Sequence, residues 1–179
     1  MIKVAFLDRD GVINVDYGYV VIREQFEFID GIFTVCRLLH DLGYELIVIT
    51  NQSGIARGYY SEQDFLDLSE WMCEQFNRQG VPLLDVFYCP HHPQAAIPNY
   101  RRNCRCRKPS PGMIEQACQK YPIDLKRSII IGDKTSDIQA AKAAGVGNFY
   151  LLGKEVVDRE ELKVSARLDN LDQLQYFIN

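Results

Sequence analysis

Residues 2–11, IKVAFLDRDG, decide the fold. A short apolar run closes on an acid, which is how a buried parallel strand reads when its chemistry sits at the carboxyl end. Gly11 can then turn the chain sharply, leaving Asp8 and Asp10 beside whatever the turn encloses. Residues 44–51, YELIVITN, and 128–133, SIIIGD, repeat the design: a β-branched run ending on a polar residue.

Helical patterns lie between these runs. In residues 31–43, GIFTVCRLLHDLG, the apolar positions Ile32, Val35, Leu38, Leu39 and Leu42 keep helical spacing, and Gly43 suits a C-cap. Ser61 reads as the N-cap of a helix reaching Gln79 with Phe65, Leu68, Met72 and Phe76 on one face. LDVFYCP reads as a further strand. Ser110 and Pro111 are expected to open another helix as cap and first residue, and SDIQAAKAAGV opens one with Asp137 in its first turn. NFYLL is expected as a strand, and the tail supplies a short strand and a helix near Asn170 to Ile178. Strands alternating with helices predict an α/β fold, a doubly wound, Rossmann-like parallel sheet with helices on both faces.

Bulk properties bound the function. The chain has 179 residues, one domain's worth, and 47% hydrophobic with 25% charged residues is ordinary for a soluble protein. No apolar run approaches the ~18 residues a membrane span needs, and the N-terminus turns acidic too early for a signal peptide. A cytoplasmic protein is expected. A net charge of -4 argues against a nucleic-acid surface and suits a small phosphorylated partner better. In the cytosol clustered thiols more often bind metal than form disulfides; Cys36, Cys73 and Cys118 fall in helical patterns and are expected as buried thiols.

Ligands of such sheets bind beyond the carboxyl ends of the strands, so Asp8, Asp10 and Asp133 are predicted to meet there. Three carboxylates in one cleft repel by several kcal/mol unless a cation or proton intervenes, and magnesium, a hard ion content with carboxylates, water and phosphate, is the expected answer. Strand-end acids also cap helices, so DRDG alone decides little. TNQSG after the second strand offers a hydroxyl, amides and bare N–H groups to phosphate oxygens. Lys108 can neutralise phosphate charge. GDKTSD adds Asp133 for metal, with Asp137 able to orient Lys134.

Taken in this order, each at a strand end, the four segments resemble the haloacid dehalogenase (HAD) superfamily of phosphatases. The resemblance implies that Asp8 attacks phosphorus and forms an aspartyl-phosphate, while Asp10 protonates the leaving alkoxide and then deprotonates water. It implies magnesium on Asp8, Asp133 and the backbone carbonyl of Asp10, with Thr50 and Lys108 on the phosphoryl oxygens. About twenty residues separate DRDG from the helix at Gly31, too few for a cap domain. A capless, shallow pocket lidded by loops follows.

The loop over residues 89–108 carries a second constellation. Cys89-x-His91, twelve intervening residues, then Cys104-x-Cys106 supply three thiolates and one imidazole, enough for a closed tetrahedral zinc site of structural type. His92 is the competing imidazole. Zinc would fix the exit of the loop into Arg107 and Lys108 and so serve the phosphate site without entering its chemistry.

With this loop included, FLDRDGVINVDYGYV, FEFIDG, TNQSGIARGYYSEQDF, YCPHHP and CRCRKPSPGM resemble the bacterial heptose-bisphosphate phosphatase family within that superfamily. The resemblance implies removal of the 7-phosphate from a heptose 1,7-bisphosphate. It implies substrate contacts at Asp8, Arg9 and Asp10, at Asp16, Tyr17, Gly18 and Tyr19, at Thr50, Asn51, Gln52 and Ser53, and at Arg107, Lys108 and Lys134, with Arg57 as a further aid. A bisphosphate needs two anion sites, and Arg57 or Arg107 could fork onto the spectator phosphate. Histidinol-phosphate phosphatases share the DRDG set and a similar loop, and a zinc-stapled binding module without turnover is the non-enzyme reading. A nucleic-acid 3'-phosphatase would want a longer basic groove. A monomer is expected, since no heptad seam is visible.

Overall fold

The computed structural model describes residues 1–153 and 164–178. IKVAFLD forms a strand at Lys3–Leu7 (β1), YELIVITN one at Tyr44–Asn51 (β2), and LDVFYCP one at Leu83–Cys89 (β3). Ile129–Gly132 (β4), Asn148–Leu152 (β5) and Ala166–Leu168 (β6) follow. All neighbouring pairs are parallel, and the order is β3-β2-β1-β4-β5-β6. The chain starts in the middle of this sheet and winds outward in two directions, so a crevice opens beyond the carboxyl ends of β1 and β4.

Side chains alternate along a strand, which divides the core in two. Ala5 and Leu7 join Leu46, Val48, Ile129 and Ile131 on one face, while Val4 and Phe6 join Ile47, Ile49 and Ile130 on the other. Helices Ile32–Asp41 (α1) and Glu62–Arg78 (α3) cover the first face; Gly112–Lys120 (α4) and Thr135–Ala144 (α5) cover the second. Burial on both faces is why these strands read as continuous apolar runs. Each fully buried Leu or Phe contributes about 1.5–3 kcal/mol relative to exposure.

Local chemistry sets the boundaries. Ser61 Oγ accepts from the Asp64 backbone N–H and the Asp64 carboxylate accepts from the Ser61 N–H, a capping box that starts α3 where expected. A five-residue helix, Ser53–Arg57 (α2), follows β2 directly. Helix α4 begins at Gly112, one residue later than expected, because Pro111 takes the cap position and the Gly112 N–H turns to the Arg105 carbonyl. The tail helix is a 3-10 turn, Leu171–Tyr176, not an α-helix. Cys36 is buried, whereas Cys73 and Cys118 are only partly so. Between β1 and α1 the chain forms isolated bridges at Asp10–Asn14 and Asn14–Phe28 and one 3-10 turn, with no cap in this segment. Among the described residues, no helix is long and apolar enough to cross a membrane.

Candidate active site

A crevice of about 480 Å3 lies at the carboxyl ends of β1, β2 and β4. Asp8 follows β1 directly and its backbone N–H bonds the Ile131 carbonyl, so the β1–β4 pairing fixes where this carboxylate stands. Lys108 reaches it from the far side of the fold: its Nζ lies 2.8 Å from Asp8 and 2.6 Å from Asp137, and donates to the Ile49 carbonyl at 2.8 Å. These contacts fix the ammonium between the two acids. The Asn51 amide holds the Lys108 backbone from both sides, donating to its carbonyl and accepting from its N–H at 3.1 and 3.0 Å.

The third acid beside Asp8 and Asp133 is Asp137, not Asp10. Asp8, Asp133 and Asp137 can bring one oxygen each within 4.8 Å of one another. Asp137 is already committed, one oxygen to Lys108 and the other to the Lys134 backbone N–H. Its expected partner, the Lys134 ammonium, instead meets Asp16 at 3.1 Å and Asp133 at 3.9 Å. Burial, with Asp137 and Asp133 adding to it, pushes Asp8 up to about 8 despite Lys108. Burial and Asp137 likewise push Asp133 up to about 6, against the pull of Lys134. Burial alone would lower Lys108, but Asp137 and Asp8 outweigh it and hold the ammonium at about 12.

Raised carboxylates describe a site short of positive charge. The Asp133 Oδ1 is buried without a partner. Gly11, at φ 96°, leaves open the space where a Cβ would come 2.1 Å from Asp133 Oδ2, so the turn after Asp10 can press against that acid. Hard oxygen donors, one orphaned and two raised in pKa, fit a divalent magnesium ion held by Asp8 and Asp133.

Asp10 lines the crevice outside that group of three, and its carboxylate is taken up by neighbouring N–H groups. It accepts from Arg9 Nη2 at 2.8 Å and Nε at 3.2 Å, from Asn14 Nδ2 at 3.1 Å and from Gln52 Nε2 at 3.0 Å. Arg9, expected to touch substrate, is 1% exposed and is not among the lining residues; it lies under Asp10, bonded also to the Val20 carbonyl. Gln52 donates to Thr50 Oγ1 at 2.8 Å as well, and Tyr60 donates to Gln52 Oε1 at 2.6 Å.

The remaining expected residues divide. Asp16, Gly18, Tyr19, Ser53, Arg107 and Lys134 line the crevice with Thr50, Asn51, Gln52 and Lys108. Tyr17 does not; it points away, hydrogen-bonded to Glu27. Arg57 does not either, because it packs against His92 with Nη2 3.4 Å from Nε2. Of the two arginines considered for a spectator phosphate, only Arg107 lines the crevice. Sequence reasoning missed Tyr60 and Ser136 as lining residues, although Ser136 sits inside GDKTSD and Tyr60 stands just before a recognisable cap. Tyr19 carries φ 57°, an uncommon conformation for a residue with a side chain, at the crevice mouth.

The second constellation is assembled as the spacing predicted. Cys89 ends β3 in register with Asn51, and its sulfur lies 3.3 Å from that of Cys104 and 3.0 Å from that of Cys106; Cys104 and Cys106 are 3.2 Å apart. These distances are far beyond the ~2.05 Å of a disulfide. His91 Nδ1 completes the group, 3.4 Å from Cys106 and 3.8 Å from Cys89. His92 is excluded by its engagement with Gln94 and Arg57. Contacts with Cys89, then Cys104 and His91, draw the Cys106 thiol down to about 5 against the effect of burial. Three soft donors and one imidazole converging on one point fit tetrahedral zinc.

Parallel sheet, switch-point crevice and strand-end acids are those of HAD-like hydrolases, and the HAD-hydrolase-like family model matches residues 105–173. A D-glycero-alpha-D-manno-heptose-1,7-bisphosphate 7-phosphatase from Photorhabdus laumondii is 52% identical over 151 residues, covering 84% of this chain and 82% of the relative. The D-glycero-beta-D-manno-heptose-1,7-bisphosphate 7-phosphatase of Vibrio cholerae is 44% identical over 175 residues, covering 97% of this chain and 94% of the relative. The crystal structure of D,D-heptose 1,7-bisphosphate phosphatase from B. bronchiseptica, complexed with magnesium and phosphate, superposes with a TM-score of 0.78 at 27% identity, covering 98% of this chain and 99% of that one. The chain belongs to the heptose-1,7-bisphosphate 7-phosphatase family of HAD-like phosphoric monoester hydrolases.

Proposed function

We propose that this protein hydrolyses the 7-phosphate of D-glycero-D-manno-heptose 1,7-bisphosphate, giving heptose 1-phosphate for nucleotide-activated heptose synthesis, as a cytoplasmic, monomeric, one-domain enzyme. The observation that carries the reading is Asp8: a buried carboxylate at a strand end, 2.8 Å from Lys108, in a crevice that Arg107 and Lys134 also line.

The Asp8 carboxylate attacks phosphorus and the bond to the C7 oxygen breaks, while Asp10 gives that oxygen a proton. Asp10 then takes a proton from water, whose oxygen attacks the aspartyl-phosphate; inorganic phosphate leaves and Asp8 is restored. Magnesium on Asp8, Asp133 and the Asp10 carbonyl would offset charge on the carboxylate and phosphoryl group. Thr50 and Lys108 hold phosphoryl oxygens, and Lys108 stays charged throughout because Asp137 remains beside it. Arg107 holds the spectator phosphate, with Lys134 at the mouth. Zinc held by Cys89, His91, Cys104 and Cys106 would fix the loop that delivers Arg107 and Lys108.

The test is the ratio of kcat/KM for the heptose bisphosphate, each anomer separately, to that for histidinol phosphate in magnesium buffer. A ratio of about a hundred or more, worth ~2.7 kcal/mol of transition-state binding, is expected from the second anion site. A ratio near one would leave the hydrolase intact and remove the bisphosphate assignment.

A further inference from the structure

We propose that Tyr60 is a positioning residue for proton transfer to the leaving group, acting through the Gln52 amide on Asp10. The inference rests on the acid-base role given to Asp10 above.

Asp10 is held by four N–H donors, two on each oxygen: Arg9 Nη2 and Asn14 on Oδ1, Arg9 Nε and Gln52 on Oδ2. Arg9 and Asn14 are fixed by their own backbone attachments, to the Val20 and Val15 carbonyls. Gln52 is different, because an amide can present oxygen or nitrogen with little change in shape. Only with Nε2 toward Asp10 does it support the carboxylate. Turned over, its oxygen would face both Asp10 and the Thr50 hydroxyl.

Asp10, which only accepts, calls for Nε2, and Tyr60 holds the amide in that orientation from its other end. Its hydroxyl donates to Gln52 Oε1 at 2.6 Å, which leaves Nε2 to divide its protons between Asp10 at 3.0 Å and Thr50 at 2.8 Å. The ring can approach this closely because residue 54 is glycine: a Cβ there would come 2.2 Å from Tyr60 Cε1. Tyr60 therefore lines the crevice without any need to touch the phosphoryl group. A general acid displaced by a fraction of an ångström loses rate steeply, and a sugar alkoxide cannot leave without its proton.

The leaving group separates positioning from mere scaffolding. An aryl phosphate such as 4-nitrophenyl phosphate expels a phenolate that needs no acid, yet it still requires Asp8 and Thr50. For Tyr60→Phe, kcat/KM on the alkyl phosphate, the heptose bisphosphate, is expected to fall about tenfold. On the aryl ester it should stay within about twofold of the parent, since kcat/KM reads only as far as aspartyl-phosphate formation. Asp10→Asn should show a larger selectivity. Equal losses on both substrates in Tyr60→Phe, or no loss on either, with Asp10→Asn still selective, would overturn the role of Tyr60 alone. An unselective Asp10→Asn would overturn the acid assignment, and this inference with it.

Discussion

The two clusters at the carboxyl end of the sheet solve opposite problems. The cysteine–histidine group is drawn from one stretch, residues 89–106, and faces inward on itself, each sulfur within 3.3 Å of another. The acid cluster is drawn from positions 8, 133 and 137 and is left electrostatically uneven, with two carboxylates raised and the Asp133 Oδ1 orphaned. A closed donor set makes a staple; an open one keeps a place for a reaction. Lys108 belongs to both, entering from the stapled loop and ending against the acids.

The sharpest way to break this comparison is Asp8→Asn. Phosphate release is expected to fall by about a thousandfold or more with an unchanged circular dichroism spectrum. Substantial retained turnover in the purified variant would remove the nucleophile. Lys108→Met should damage both fold and activity, because it leaves Asp8 and Asp137 buried without a counter-charge; a loss of about 3–5 kcal/mol in urea titration is expected. A variant as stable as the parent would mean that these ion pairs add nothing to the fold.

Cys106→Ser should open the staple, cost on the order of 3 kcal/mol, and lower zinc content to near zero by elemental analysis. If it melted and turned over like the parent, the loop would need no metal to aim Arg107 and Lys108. The pH dependence sharpens the other side. Folded Asp8 and Asp133 sit at about 8 and about 6 against an ordinary 3.8, so without magnesium the folded state binds more protons than the unfolded chain across that interval. Stability in chelator should therefore fall as pH rises from about 4 to about 8, and magnesium should raise Tm more at the upper end than near pH 5. Equal gains at both would place the ion elsewhere. The smallest effect is expected from Arg105→Ala, since this exposed arginine between two zinc ligands pairs only with Glu115 at the surface. Zinc content and turnover should not move.

The strands, their order of chemistry and the zinc ligands were legible because each is announced locally: an apolar run and the polar residue that ends it, or a ligand pair two positions apart. What stayed hidden were partnerships made across the fold. Nothing in DRDG says that Arg9 folds under Asp10, or that Asn14 and Gln52 join it there. Nothing in GDKTSD says that Asp137 will meet Lys108, far off in sequence, before the neighbouring Lys134 side chain. Arg57 and Tyr17 have the right chemistry beside the right residues, yet His92 and Glu27 claim them. Tyr60 was invisible as a site residue because its importance depends on an absent Cβ at Gly54.

Asp8 takes its position from β4, and Lys108 takes its position from Asn51 at the end of β2. No fragment shorter than the span from β1 to α5 can therefore hold nucleophile, cation and metal acids together. Phosphatase activity is in this sense an all-or-none reporter of completed folding: during refolding it should return only with the last central pairing, after helix content has recovered. A nascent or partly unfolded chain would be harmless to the cell's phosphate esters.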